Sequence, residues 1–190
     1  MTTNAFIQQL QAAVRRLQTV VETELQPLSN EALNFKARPD SWSVLECLEH
    51  LNRYSRYYNP AFAKALQSVG RPASVADIGY SWLGRKSLDI VRPGNGKPSK
   101  TVKHMNPAGS QLGRTVLNEF LLNQRELLRL LDQAAATDLN RKVVPVEFFR
   151  LLKLRLGEAL EFVVLHETRH VQQAQRAAQL AQATAPVLVV

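Results

Sequence analysis

The chain has 190 residues, 45% of them hydrophobic and 21% charged, which predicts one soluble domain over residues 1–190 and excludes a disordered chain. It has no run of 18 apolar residues, which excludes a transmembrane helix, and it lacks a basic N-terminal region followed by an apolar run, so we expect no secretory signal. The net charge of +8 comes from scattered bases without a nucleic-acid-binding motif; a solvated basic surface is expected, and a nucleic-acid partner is the weaker alternative.

A first helix is predicted from about residue 5 to residue 25. Apolar residues recur there at steps of three or four, which places them in one stripe of an amphipathic helix. We expect the stripe to face the core. Its members are Ile7, Leu10, Val14, Leu17, Val21 and Leu25.

A second helix is predicted to begin after Ser43 and to run to about residue 67. Ser43 and Glu46 fit a capping box, in which each side chain bonds the backbone N–H of the other residue; the alternative for Glu46 is an acceptor for a histidine N–H. Trp42 and Cys47 fit a hydrophobic staple, so both are expected in the core. The alternatives are a substrate platform for Trp42 and a ligand or redox thiol for Cys47. As the only cysteine, Cys47 excludes an internal disulfide and predicts a cytoplasmic location.

Two further helices are predicted, from about residue 110 to 136 and from about 154 to 183. A connection over residues 70–109 separates the second helix from the third. A connection this long inside a compact domain is usually functional or mobile, so we expect it to form a wall or lid of any pocket. A short apolar tail, about residues 184–190, follows the last helix.

The last helix contains the sequence HETRH, which matches the H-E-x-x-H motif of zinc proteases. His166 and His170 are one turn apart, so they project from one helix face about 6 Å from each other and could hold one divalent metal. The alternative is two ordinary half-buried histidines, each bonded to a carbonyl or carboxylate. A zinc protease takes its third ligand downstream, but no His, Asp or Glu follows His170, which argues against that class.

A third ligand must therefore come from upstream. His50 is the better candidate, because it lies near the buried side of the second helix. His104 is the weaker one, because it lies in the long connection next to Asn106, where a solvated side chain is expected.

Two segments in this order resemble the DinB-like, or YfiT-like, superfamily of metal-dependent enzymes. RPDSWSVLECLEHLNR, residues 38–53, resembles the family's W-S-x-x-E-x-x-x-H-L element, and LRLGEALEFVVLHETRHVQQAQR, residues 154–176, resembles its G-E-A-L and H-x-x-x-H-x-x-Q element. YSWLGRKSL, residues 80–88, is similar to one branch of the family. The resemblance implies an all-α four-helix bundle with a long crossover loop between helices two and three, and a homodimer.

The resemblance also implies a metal site made by His50, His166 and His170, with zinc or nickel as the divalent transition metal. Relatives include thiol-dependent S-transferases and isomerases, so a low-molecular-weight thiol is a second candidate cofactor. We expect a metal-dependent enzyme acting on a small-molecule substrate, either a thiol-dependent S-transferase or a hydrolase. The alternative is a non-catalytic metal-binding or stress-response module.

Other residues near the motif have a functional and a structural interpretation. Glu167 is the candidate catalytic base by analogy with zinc proteases, but it is rotated about 100° from His166 on the helix, which favours a surface carboxylate. Gln173 could bond a metal-bound water or could be an ordinary polar residue near a helix end. Three tyrosines are candidates to line the pocket, and the sequence does not distinguish them: Tyr54, Tyr57 and Tyr58.

Overall fold

A computed structural model describes residues 1–68, 77–94, 101–147 and 149–184. Its helices and strands, in chain order, are α1 (Thr3–Val20), α2 (Asn30–Asn34), α3 (Val44–Ser68), α4 (Trp82–Val91), α5 (Thr115–Ala134), β1 (Lys142–Val146), β2 (Phe149–Arg155) and α6 (Leu156–Thr184). A π-helical turn over Val21–Leu25 extends α1, and a 3-10 turn covers Lys103–Met105. The mainly helical class that the sequence predicts is confirmed.

Four long helices lie close to their predicted positions. The apolar stripe of α1 is buried as expected, and α1 packs against α5 and α6, which both contact α3 as well. The capping box at the start of α3 is confirmed, since Ser43 N donates to Glu46 Oε2 at 2.9 Å and Glu46 N donates to Ser43 Oγ at 3.2 Å. Apolar burial and local capping therefore act together to set these elements.

The long connection contains a helix that the sequence analysis did not predict. α4 begins after Ser81, whose hydroxyl accepts from Gly84 N at 3.0 Å, and it packs against α6. Glu158 of α6 accepts from the backbone N–H of Ser81, and a Cβ added at Gly84 would overlap its carboxylate. The connection is thus partly a packed helix. Its residues 70–76 and 95–100, like residues 185–190 of the predicted tail, lie outside the described residues.

A β-hairpin between α5 and α6 corrects the prediction of a purely helical chain. β1 pairs with β2 in antiparallel orientation, with Val144 opposite Leu154 and an irregular register on either side of that pair. Val144, Val146 and Leu154 are buried in the core, so one side of the hairpin packs against the helices, while Phe149 and Leu151 are exposed. None of the helices within the described ranges is both long and apolar enough to cross a membrane.

The buried apolar side chains form two clusters, and the histidines of α3 and α6 lie between them. One cluster includes Tyr58 of α3 and Phe162 of α6. The other includes Leu48, nearer the start of α3, and Val171 of α6. Because α3 and α6 pack against each other, the polar residues between these clusters are brought together from distant parts of the sequence.

Candidate metal centre

Three imidazoles converge where α3 meets α6. His50 is on α3, and His166 and His170 are one turn apart on α6. Each ring offers one ligand nitrogen, and these nitrogens all lie within 4.8 Å of one another. His50 Nε2 is only 3.2 Å from His166 Nε2. His104 is elsewhere: it is 63% exposed and its Nε2 lies 2.6 Å from Glu147 Oε1.

Hydrogen bonds fix which nitrogen of two rings carries the proton. His50 Nδ1 is 2.7 Å from the carbonyl oxygen of Met105, which can only accept, so Nδ1 donates and Nε2 keeps its lone pair. His170 Nδ1 is 3.0 Å from Gln173 Oε1, so the same assignment holds there. Both rings are therefore in the tautomer that presents Nε2 to a metal, and acceptors of this kind orient metal-binding histidines.

The environment keeps all three rings neutral near pH 7. Burial lowers the pKa of His50 to about 4 and that of His170 to about 3. Burial, reinforced by the neighbouring His170 and His50, holds the pKa of His166 well below its usual range. Neutral imidazole is the form that binds metals.

The donor set fits a divalent transition metal. His50 Nε2 and His166 Nε2 lie 3.2 Å apart. A neutral His166 satisfies this contact by donating its Nε2–H, and a shared cation satisfies it when both nitrogens present lone pairs. Three neutral imidazoles are the ligand set of catalytic zinc sites, and imidazole also suits nickel.

The ligand nitrogens face a cavity of about 960 Å³. Its lining includes the rings of Trp42, Tyr54, Tyr58 and Phe162, together with aliphatic side chains. Tyr54 packs on the imidazoles, with its ring centroid 4.5 Å from that of His166. The lining also includes polar and charged side chains besides the histidines, among them Arg38, Asp40 and Arg169. A cavity with apolar walls and a few polar groups is typical of a small-molecule site.

Trp42 was expected in the core, and it packs against the core cluster that contains Leu48, but it also borders the cavity. The indole is half-buried, lines the cavity, and has its ring centroid 4.8 Å from that of His50 and 5.6 Å from that of His170. It therefore covers the outer side of two candidate ligands. The capping box fixes the start of α3 directly after Trp42, which explains why the ring lies so close to His50.

The long connection contributes part of the cavity wall, as predicted. Ile90 and Val91 of α4 line it on one side, and Thr101, Val102 and Asn106 line another part. The end of α4 is held to α6 by Arg169, whose Nη1 donates to the carbonyl of Ile90 at 2.8 Å.

Glu167 lies in a different environment from its histidine neighbours. The expectation of a surface carboxylate is wrong, because Glu167 is only 2% exposed and accepts from Gln124 Nε2 at 2.9 Å. Burial raises its pKa to about 7, although bonds from Gln124 and Ser55 oppose that shift. It is not among the residues that line the cavity within the described part of the chain. A signal was present in the sequence, since Val163 and Val171, one turn before and after it, are apolar and buried.

The structure shows the contacts of the remaining residues near the motif. Gln173 accepts from a candidate ligand, so its role is to orient His170. Glu46 accepts from Lys36 and Gly109 in addition to Ser43, which confirms the capping interpretation. Cys47 is fully buried, and burial raises the pKa of its thiol, which confirms a packing role. The Met105 carbonyl was missed, since a backbone acceptor 55 residues away leaves no sequence signal.

Comparison with known proteins gives one family. A family model described as the DinB superfamily matches residues 9–174, which is most of the chain. The chain is also similar to the uncharacterized protein YuaE of Bacillus subtilis (strain 168), with 27% identity over 150 residues that cover 79% of this chain and 85% of YuaE. No solved structure gives a significant match.

Proposed function

Because the chain belongs to the DinB superfamily, we propose that it is a metal-dependent enzyme in which His50, His166 and His170 hold one divalent transition metal, zinc or nickel. The observation that carries the proposal is the convergence of three neutral imidazoles, two of them with fixed tautomers, on one wall of a cavity. When bound, such a metal acts as a Lewis acid and lowers the pKa of a coordinated water or thiol, which supplies a nucleophile at neutral pH.

The ligand set favours catalysis over a structural role. Structural zinc sites are closed by four protein ligands, whereas catalytic sites use three and keep a position open. In the parts of the chain that the structure describes, the metal-binding group consists of the three histidines alone, and the cavity lies beside them. We therefore favour an enzyme over the non-catalytic metal-binding or stress-response module.

The surrounding side chains divide into orienting and enclosing groups. Met105 O and Gln173 Oε1 hold two of the rings by their Nδ1 atoms. Trp42 and Tyr54 exclude water from the rings and provide flat apolar surfaces for a small substrate. These features suit S-transfer from a low-molecular-weight thiol, or hydrolysis of a small substrate.

The proposal includes the bundle architecture, the homodimer and the cytoplasmic location of this type of protein. The four long helices support the first, and a lone, fully buried Cys47 suits a reducing compartment. Light scattering after size-exclusion chromatography tests the dimer, which predicts a mass close to twice 21.3 kDa.

Metal analysis of protein purified without a histidine tag tests the proposed site. We expect about one equivalent of a divalent transition metal in the wild type and much less in His50→Ala, because three ligands are needed for a stable site. His104→Ala is the matched control, since His104 lies outside the cluster. Equal metal contents in the wild type and His50→Ala would contradict the proposal.

A second measurement separates an enzyme from a binding module. Co²⁺-loaded protein is titrated with a small thiol and with azide while the visible spectrum is recorded. An open coordination position predicts a new sulfur charge-transfer band and a changed d–d spectrum. A spectrum that neither ligand alters would indicate a closed site and favour the module.

A further inference from the structure

A short segment, residues 103–109, is fastened across α3 next to the candidate metal centre; we refer to it as the strap. Three side chains on successive turns of α3 hold it. Glu46 Oε1 accepts from Gly109 N at 3.0 Å, and His50 Nδ1 donates to Met105 O at 2.7 Å. Arg53 Nη1 donates to the carbonyl oxygens of His104 at 3.1 Å and Asn106 at 2.8 Å. The ligand His50 is therefore the middle one of three fastening points.

Arg53 is itself held in place. Its Nε donates to Glu49 Oε1 at 3.0 Å, one turn back on α3, and the Glu49 side chain is only 9% exposed. The Arg53 side chain is 24% exposed, so its charge is partly shielded from water. Bonds from a charged donor to carbonyl oxygens are stronger than neutral ones, and the guanidinium is rigid, so the two carbonyls are held in defined directions.

The two carbonyls that Arg53 holds are those of the residues on either side of Met105. These carbonyls belong to the 104–105 and 106–107 peptide groups, which flank the 105–106 peptide group that carries Met105 O. The middle peptide group moves as one planar unit, so holding both of its neighbours restricts the directions that Met105 O can take. That carbonyl is the acceptor for His50 Nδ1. The Met105 side chain is 5% exposed, which anchors the strap from its other side.

We propose that Arg53 is a positioning residue for the metal centre: by holding the carbonyls of His104 and Asn106, it directs Met105 O at His50 Nδ1. His50 is thereby kept as the Nδ1–H tautomer, with its Nε2 lone pair directed at the other two imidazoles. The inference rests on the proposed function for its consequence, metal affinity, but the tautomer of His50 can be observed without metal. Mutation of residues that orient metal ligands typically lowers metal affinity 10–100-fold.

The test compares Arg53→Gln with Arg56→Gln. Arg56 is the matched control because it bonds the same Glu49, at 3.1 Å, and also Glu119, at 2.7 Å, but it makes neither of the strap bonds that Arg53 makes. Long-range ¹H–¹⁵N spectra of the metal-free proteins report the tautomer of His50. We expect one Nδ1–H tautomer in the wild type and in Arg56→Gln, and a mixture in Arg53→Gln.

Co²⁺ affinity, measured by competition with a chelator, is the second readout. We expect Arg53→Gln to weaken Co²⁺ binding about tenfold, the lower end of the range for outer residues, and Arg56→Gln to change it less than about threefold. Arg53→Lys keeps the charge and should recover part of the affinity, and it also serves if Arg53→Gln does not fold.

Two results would overturn the role of Arg53. One is an unchanged His50 tautomer in both Arg53 variants. The other is an equal loss of Co²⁺ affinity in Arg53→Gln and Arg56→Gln, which would indicate a general effect of losing an ion pair. If the wild type itself binds no Co²⁺, the proposed function fails, and the tautomer comparison still decides the role of Arg53.

Discussion

His166 and Glu167 are neighbours in the sequence and lie in opposite environments. Both are buried, with 7% and 2% exposure. His166 lines the cavity, and its ligand nitrogen lies within 4.8 Å of those of His50 and His170. Glu167 faces the interior of the helix packing, where the Gln124 amide of α5 donates to it.

The difference shows that a buried polar group in this chain can be either a candidate metal ligand or a structural contact. An imidazole nitrogen that lies 3.2 Å from another ring nitrogen and beside a cavity suits a metal ligand. A carboxylate bonded to an amide between packed helices indicates a structural contact. A step of one residue turns the helix by about 100°, which is enough to separate the two sides of the H-E-x-x-H motif.

The largest effect is expected on the cavity side. His166→Ala removes one of three ligands, so Co²⁺ affinity should fall on the order of 1,000-fold, well beyond the effect of an outer residue. Chelator competition measures the loss, and thermal unfolding of the metal-free protein should show that the fold persists. Retention of wild-type affinity would remove the distinction between the two sides.

On the other side, Glu167→Gln should make stability less dependent on pH. Because the pKa of Glu167 is raised from 4.5 to about 7, its stabilising contribution is complete below pH 4.5 and is lost as pH rises through about 7. Glutamine does not titrate, so relative to the wild type the variant should gain up to about 3 kcal/mol of unfolding free energy between pH 4.5 and pH 8. Urea unfolding of both metal-free proteins across that range measures the gain, and parallel pH profiles would contradict it.

Glu167→Ala sharpens the comparison. It leaves a cavity and an unpaired Gln124 amide, so the free energy of unfolding should fall by about 2 kcal/mol at pH 6. Co²⁺ affinity should change less than about threefold, since Glu167 does not line the described cavity. A large loss of affinity or turnover without loss of stability would instead support Glu167 as a catalytic base.

The smallest effect is expected at Gln173. Gln173→Ala removes the acceptor for His170 Nδ1, so Co²⁺ affinity should fall about tenfold. Gln173→Glu keeps an acceptor oxygen and should recover the affinity. Gln172→Ala is the control, since Gln172 is exposed on the neighbouring position of the helix. Equal affinities for both alanine variants would show that the bond to Gln173 does not matter.

The sequence predicts those features that depend on local chemistry or on a helical period. Ser43 and Glu46 specify the start of α3 because their bonds join residues three apart. The spacing of His166 and His170 predicts that they lie on one helix face. His50 could be added to them because it lies near the apolar face of its own helix. The side chains of this group converge as expected.

Features that depend on distant contacts were not predictable in this way. The start of α4 is bonded to Glu158, which is 77 residues from Ser81. The hairpin contains Pro145, which obscures a strand pattern. Trp42 packs against the core as expected, but the sequence does not show that a cavity also opens beside it. The burial of Glu167 had a local signal in Val163 and Val171, but its partner Gln124 lies on another helix, which the sequence does not reveal.

X-ray absorption at the metal edge, on tag-free protein loaded with one equivalent of Zn²⁺, tests the central claim most directly. The account predicts about three imidazole nitrogens at about 2.0–2.1 Å from Zn²⁺, with water in one or two further coordination positions. It predicts one imidazole fewer in His50→Ala. A shell without imidazole scattering, or one with sulfur at about 2.3 Å that identifies Cys47 as a ligand, would contradict it.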